Sequence, residues 1–128
     1  MNYPVGDFLI RLKNAYKANR KQLVSPSSKF REAVAQLLKK HGYIADYVSE
    51  GEVKKTLTLH LVYNNRQPKV TDVKLFSKPG RRLYQTSSAL PWGQTPSSLI
   101  IVSTSKGLLS QKEAAAQKIG GEIIAEIY

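Results

Sequence analysis

The chain has no cysteine, so neither a disulfide framework nor a thiolate zinc site can form. Histidine is almost as scarce, with only His41 and His60. They fall on the last turn of a predicted helix and on the polar face of a predicted strand. A solvated imidazole is the simpler reading there, because catalysis would need a carboxylate or nucleophile placed beside it. The longest nearly apolar run, Leu99 to Val102, is far below the roughly 20 residues that span a bilayer. The N-terminus also lacks the apolar core of a signal peptide, so a soluble, unprocessed, cytoplasmic chain is expected. No G-x-x-x-x-G-K-[ST] or G-x-G-x-x-G loop appears, and no local acidic pair resembles an acid/base dyad. No enzyme activity, cofactor or metal is expected.

Acidic residues are in short supply. Nine Asp and Glu face twenty Lys and Arg, a net charge of +11 over 128 residues. Self-repulsion of that size points to a polyanionic partner, either nucleic acid or an anionic membrane. The excess is even along the chain, with eleven basic and five acidic residues in 1–64 and nine and four in 65–128. An even distribution within structured segments predicts a folded protein with a broad positive surface, not a basic tail. Neither basic helix carries the Trp/Phe-rich face of an interfacial helix, which argues against a membrane.

What is present has a clear order. From Pro4 to Arg20, Val5, Phe8, Leu9, Leu12, Ala15 and Tyr16 recur at helical spacing, with Arg11, Lys13, Asn14 and Lys17 on the other face. A short strand at Leu23-Val24 precedes the cap signal Ser25-Pro26-Ser27-Ser28 and a second helix with the stripe Phe30, Ala33, Val34, Leu37, Leu38, closed by Gly42. Two strands should follow, Tyr43 to Val48 and Thr56 to Tyr63. Asn64-Asn65-Arg66-Gln67-Pro68 has linker composition. Beyond it, strands are expected at 70–76, 83–86, 99–102 and 122–128. Pro79-Gly80 supplies a type II turn between the first two, and residues 87–98 have loop composition. Ser110 and Glu113 form a capping box for one short helix, and Gly120-Gly121 reads as its stop. The fold class is therefore α+β with two small domains. Residues 1–66 read α-β-α-β-β, and residues 67–128 are mainly β with one short helix.

Ser103-Thr104-Ser105-Lys106 satisfies the S-x-x-K pattern of penicillin-recognising enzymes, but the companion S-D-N and K-T-G motifs are absent and the chain is too short for that chemistry. With Gly107, the same residues suit an RNA-reading loop. Hydroxyls donate and accept toward 2′-OH groups, base edges and phosphates, Lys106 adds charge, and glycine admits close backbone approach. An ordinary strand-to-helix loop would use the same residue types. Tyr84 follows the cluster Lys78, Arg81, Arg82, so a ring that could stack a splayed base lies beside several cations; a half-buried strand tyrosine is the alternative. Ser27, Ser28 and Lys29 place hydroxyls and amides at a helix N-terminus, where capping alone would also account for them.

Together these segments resemble the family of bacterial-type small-subunit ribosomal protein eight over nearly the whole chain. The resemblance rests on Arg11-Leu12-Lys13-Asn14-Ala15, Pro26-Ser27-Ser28-Lys29, Gly42-Tyr43-Ile44, Ser77 through Tyr84, Ser103 through Gly107 and Gly120-Gly121-Glu122. It implies an α/β N-terminal domain and a mainly β C-terminal domain that binds the central domain of small-subunit ribosomal RNA early in assembly. It also implies neighbouring small-subunit proteins as partners and possible repression of the protein's own messenger RNA. A monomer is expected outside the ribosome. The resemblance assigns the grip on an irregular RNA helix to Ser103, Thr104, Ser105, Lys106, Tyr84 and the Gly120-Gly121-Glu122 turn, with Ser27, Ser28 and Lys29 in a second contact. Three departures stand out: Gln85-Thr86-Ser87-Ser88 where basic residues are frequent, Thr95-Pro96-Ser97-Ser98 where glycines are usual, and Ala116 where arginine is common.

Overall fold

The computed structural model describes residues 4–78, 80–91, 93 and 97–128. The chain divides into two compact units, one of residues 7–71 and the other of residues 72–128 together with the start of the first helix up to Gly6.

In the first unit, helix α1 (Pro4–Lys17) buries Phe8, Leu9, Leu12, Ala15 and Tyr16 on one stripe, as the periodicity predicts. Strands β1 (Gln22–Pro26), β2 (Asp46–Glu50) and β3 (Thr56–His60) form an antiparallel sheet in the order β1-β3-β2. Alternation turns Leu23, Leu57 and Leu59 into the core. Helix α2 (Lys29–Lys40) packs on β2 and β3 and buries Val34, Ala35, Leu37 and Leu38. Phe30, expected on the buried stripe, is 36% exposed in the first turn.

Three expectations change here, two of them because a backbone group is claimed elsewhere. β2 starts at Asp46, not Tyr43, because the Tyr43 N–H donates back to Leu38 O at the end of α2, where Gly42 takes φ +80°. β3 stops at His60 because the Val62 N–H donates to the Tyr16 hydroxyl (3.0 Å) and the Leu61 N–H to Lys21 O. The presumed linker is a hairpin, β4 (Tyr63–Asn64) with β5 (Gln67–Pro68), whose central residues Asn65 and Arg66 both have positive φ, 51° and 67°. That is the type I′ geometry favoured between twisted strands.

Tyr16 ties this unit together. Its hydroxyl donates to Tyr43 O (2.6 Å) while accepting from Val62, and its ring lies 5.4 Å from that of Tyr63. Tyr16→Phe would remove both hydrogen bonds of this hydroxyl, and we expect a loss of about 1–3 kcal/mol in urea denaturation at neutral pH. Burial pushes the Tyr16 hydroxyl up to about 12, with the Val62 amide opposing and Tyr63 reinforcing the rise. A pKa raised above the unfolded value of about 10 gives a contribution fully present below about pH 10 and lost as pH climbs toward 12. The parent should therefore lose more stability across that window than Tyr16→Phe; equal losses would remove Tyr16 from the account.

The second unit is built on strand β10 (Gly121–Ile127). One edge of β10 pairs with β8 (Leu99–Thr104), which in turn pairs with β9 (Gly107–Ser110). The other edge is shared by β6 (Val73–Leu75) at its C-terminal end and β7 (Tyr84–Gln85) at its start. Helix α3 (Gln111–Ala116) lays Ala114 against Ile100, Val102 and Ile123, with Phe76, Leu83, Leu90 and Leu109 around them. Its capping box forms as expected: the Glu113 N–H donates to Ser110 Oγ (3.1 Å) and the Ser110 N–H to Glu113 Oε1 (3.4 Å). Buried Gln111 stitches the helix to β8, donating to Ser98 O and accepting from the Ile100 N–H. The mainly β character with one short helix holds.

Two expectations fail locally. Residues 103–107 are not a strand-to-helix connection, since β9 intervenes and makes them a hairpin tip. Gly120-Gly121 does not stop the helix, which ends at Ala116 with Lys118 turning back at φ 57°. Residues 99–104 also extend the expected strand to Thr104. Pro79 of the expected type II turn lies outside the described residues, as do Thr95 and Pro96; Gly80, at φ +77°, fits the turn's third position.

Candidate nucleic-acid interface

The N-terminal end of β10 gathers most of the residues singled out from sequence. Glu122 pairs with Tyr84 on β7 and with Ser103 on β8, and Ser103 pairs onward with Leu108 on β9. Directly paired residues share a face of an antiparallel sheet, so Tyr84, Glu122 and Ser103 stand in one row. Tyr84 is 65% exposed; Ser103 and Glu122 are partly exposed. β8 is thus fully buried from Leu99 to Val102 and emerges at its last two residues.

The glycine pair makes this row possible. A Cβ on Gly121 would lie 2.1 Å from Ser103 O, and one on Gly120 would lie 2.4 Å from Gln85 O and 2.8 Å from the Thr86 Cα. Neither residue is in the positive-φ region. They are glycines because two flanking strands press backbone to backbone against the start of β10.

The hairpin tip is internally ordered. Thr104 Oγ1 donates to Gly107 O (2.8 Å) and accepts from the Lys106 N–H (3.1 Å), while Gly107 takes φ +101°. Ser105 and Lys106 are exposed at the apex. Of the three candidate hydroxyls, that of Thr104 therefore shapes the turn. Ser103 and Lys106 sit on a hairpin and not on a helix turn, which removes the context of the S-x-x-K chemistry.

On the other side of β10 the chain leaves β6, makes the turn in which Lys78 and Arg81 exchange backbone hydrogen bonds (3.0 and 2.9 Å), and returns as β7. Lys78, Arg81 and Arg82 are all exposed. Arg82 Nη1 lies 3.1 Å from Glu122 Oε2, linking this cationic turn to the row. Ser77 went unnoticed as a positioning residue. Fully buried, it donates to Ile123 O (2.7 Å) and accepts from the Leu83 N–H (3.0 Å), closing the base of the turn. The available signal was a serine following Phe76 at a position where a strand into the core would carry an apolar side chain.

Ser27, Ser28 and Lys29 belong to the first unit. Ser28 is the N-cap of α2 and accepts from the Arg31 N–H (3.1 Å), so its hydroxyl is occupied in capping. Ser27 Oγ lies 3.3 Å from Ser49 Oγ, and Lys29 is exposed. The same unit has a recess of about 590 Å³ lined by Arg11, Asn14, Arg20 and Gln22 among others, in which Arg11 Nη2 donates to Val24 O (3.2 Å). Among the described residues, no three His, Cys, Asp or Glu are placed to hold a metal, and no helix is long and apolar enough to cross a membrane.

An exposed ring, hydroxyls and cations thus share one end of the second unit's mainly β sheet. Comparison with known proteins gives the family. Residues 3–128 match the family model for ribosomal protein S8. Similar proteins include the small ribosomal subunit protein uS8 of Cutibacterium acnes, 44% identical and covering 100% of this chain and 98% of that one. That of Vibrio cholerae is 42% identical, covering 99% and 98%, and that of Neisseria meningitidis 39%, covering 97% and 95%. The chain belongs to the ribosomal protein S8 family, a family of structural ribosomal proteins and not of enzymes.

Proposed function

We propose that the protein is a structural constituent of the small ribosomal subunit that binds the central domain of small-subunit ribosomal RNA directly and helps nucleate assembly. The observation that carries this is the convergence, on one end of one sheet, of Tyr84, Ser103, the Thr104–Gly107 hairpin and the Lys78–Arg82 turn, enforced by Gly120 and Gly121. Regular A-form RNA hides its bases in a deep, narrow major groove, so a site of this kind selects helices whose geometry is broken. Ser103 and Ser105 meet sugar, base and phosphate groups, Thr104 holds the hairpin in shape, and Tyr84 stacks an unpaired base. Lys78, Arg81, Arg82 and Lys106 supply phosphate attraction. Ser27 and Lys29 add a second contact from the first unit, with Ser28 ordering the helix that presents it.

Because recognition is by shape, a messenger RNA folding into the same irregular helix would compete for the same residues, which is the physical basis for repression of the protein's own message. Outside the ribosome the protein is a cytoplasmic monomer, and its neighbours in the particle are other small-subunit proteins.

The test is selective loss. Ser105→Ala should weaken a cognate internal-loop RNA about tenfold in filter binding while scarcely touching a regular duplex, whereas Lys39→Ala should lower both modestly. Equal losses on both RNAs for Ser105→Ala would mean that the hairpin does not read RNA. Tyr84→Ala should cost the cognate RNA roughly 1–3 kcal/mol, and Tyr84→Phe should recover most of it, because the ring and not the hydroxyl stacks.

A further inference from the structure

The sheet of the first unit is covered on one face only. Its inner face carries Leu23, Leu57 and Leu59 into the core, and the even-numbered positions of β1, β2 and β3 turn outward. Val24, Thr58 and Val48 are paired across the three strands and make the central outward row. Val24 is 46% exposed and Val48 40%. Val24 and Pro26 also border an open recess of about 510 Å³ shared with Val53 of the β2–β3 loop, whose side chain is almost wholly in solvent. Among the described residues, five large apolar side chains are exposed, and these valines are three of them. A single exposed valine needs no explanation, but a row that runs on into a recess is the mark of an interaction surface.

The charge on this face narrows the choice of partner. The chain has twenty Lys and Arg, yet the nine outward positions, the even-numbered residues of 22–26, 46–50 and 56–60, hold none. They hold two exposed carboxylates instead, Asp46 and Glu50. Lys39 of α2 lies 3.0 Å from Asp46, but with the two side chains 51% and 56% exposed the pair is weak and readily exchanged for an incoming cation. Lys54 and Lys55 belong to the loop with Val53 and not to the strands. Nucleic acid is a poor match, because its phosphates need cations and are repelled by carboxylates. A second copy presenting the same face would set acid against acid. A different basic protein does match. Proteins that share a polyanion are themselves basic, and two such surfaces repel wherever neither has given up its cations.

We propose that the outer sheet face of the first unit is a docking surface for a second basic, RNA-bound protein, which lays an apolar strip on Val24, Val48 and Val53 and sets lysine or arginine against Asp46 and Glu50. This rests on the ribosomal reading and adds the surface on which a protein neighbour sits. With strands about 4.8 Å apart and about 3.4 Å per residue, the face measures about 15 by 17 Å. An area of that size does not hold two free proteins together. The contact forms once RNA keeps both at high effective concentration.

The experiment is therefore done in the particle, with the full chain. Because the chain has no cysteine, Val48→Cys supplies a single thiol on the central row. In small subunits purified from cells that carry this variant in place of the parent, maleimide should label the thiol about tenfold more slowly than in the free protein, as expected of a residue closed off from water. A benzophenone maleimide placed there should crosslink to a protein segment rich in Lys or Arg. Undiminished labelling overturns the proposal, as does a crosslink to RNA, to a second copy of this chain or to a segment without basic residues. Charge reversal on the row gives an independent reading. When mixed with the parent during assembly, Thr58→Lys should be incorporated about tenfold less well, because a like charge then faces the partner, whereas Thr58→Glu should compete evenly. Neither should weaken binding to an isolated internal-loop RNA. Equal losses for the two variants, or none, count against the proposed charge match and overturn it. Ser105→Cys separates the two levels: if neither it nor the parent enters small subunits, the ribosomal reading itself fails, whereas normal entry with an open Val48→Cys thiol removes this inference alone.

Discussion

Gly121→Ala is expected to lower affinity for a cognate internal-loop RNA by about two orders of magnitude, although the methyl group faces no ligand. The Cβ would sit 2.1 Å from Ser103 O and 3.3 Å from the Thr104 Cα, and both neighbours are backbone atoms of a paired strand that cannot rotate aside. β8 must therefore shift from the start of β10, moving Ser103 and the hairpin out of line with Tyr84. Overpacking of this kind typically costs about 1–3 kcal/mol of stability, visible as a fall of roughly 5–20 °C in thermal unfolding. The loss of binding is larger because stacking and hydroxyl contacts depend on the same row; about 3 kcal/mol of lost contacts is a little over a hundredfold.

Gly42→Ala is the control. Gly42 has φ +80° with nothing within 4 Å of a built Cβ, so alanine there meets backbone strain and no steric wall. It should destabilise the first unit by about 1–2 kcal/mol and leave RNA affinity unchanged. If Gly121→Ala bound RNA like the parent, the close approach of strands would have no part in arranging the site.

How far the sequence was legible follows from where each signal resides. Helix α1 and its buried stripe could be read because Phe8, Leu9, Leu12 and Tyr16 are placed by local periodicity, and α3 because Ser110 and Glu113 are three residues apart. The ends of β2 and β3 could not, because their amides are claimed by Leu38 O and by the Tyr16 hydroxyl, a partner 46 residues from Val62. β9 was missed because Leu108-Leu109 is too short a run to stand out between a turn and a cap. The type I′ hairpin at Asn65-Arg66 was masked by its second residue, an arginine in a position where glycine is usual.

The site shows the same division. Residue types and the family resemblance singled out Tyr84, Ser103 to Gly107 and Gly120-Gly121-Glu122, but their adjacency is a property of strand pairing. Tyr84 and Ser103 are 19 positions apart and meet only because both border Glu122. The reading of Gly120-Gly121 as a helix stop failed for the same reason, since the contacts that demand glycine come from Gln85 and Ser103. Nor could Ser28 be separated in advance into capping or ligand binding. Its cap bond to Arg31 shows that the first role is filled, while the exposed Lys29 beside it keeps the second open to test.

Affinity for the cognate RNA should collapse with salt, and the size of the collapse counts the cations engaged. Lys78, Arg81, Arg82 and Lys106 are all exposed around the row. At about −0.9 in log affinity per decade of salt for each phosphate neutralised, these four give a slope of roughly −3.6 and about a 150-fold loss between about 50 and 200 mM salt. A loss of about 10³–10⁵ over that range would require about 6–10 contacts, more than this face holds, and would draw in basic residues of the first unit such as Lys29. Lys106→Ala should then flatten the slope by about one, and Lys29→Ala by about one as well. Ser105→Ala should leave the slope untouched while lowering affinity, because a hydroxyl displaces no counterion. A slope near zero for the parent would contradict phosphate attraction altogether. A slope of about −3.6 that Lys29→Ala fails to flatten would confine binding to the end of the second unit's sheet, leaving the hydroxyls of Ser27 and Ser28 to the capping and local bonding they already perform.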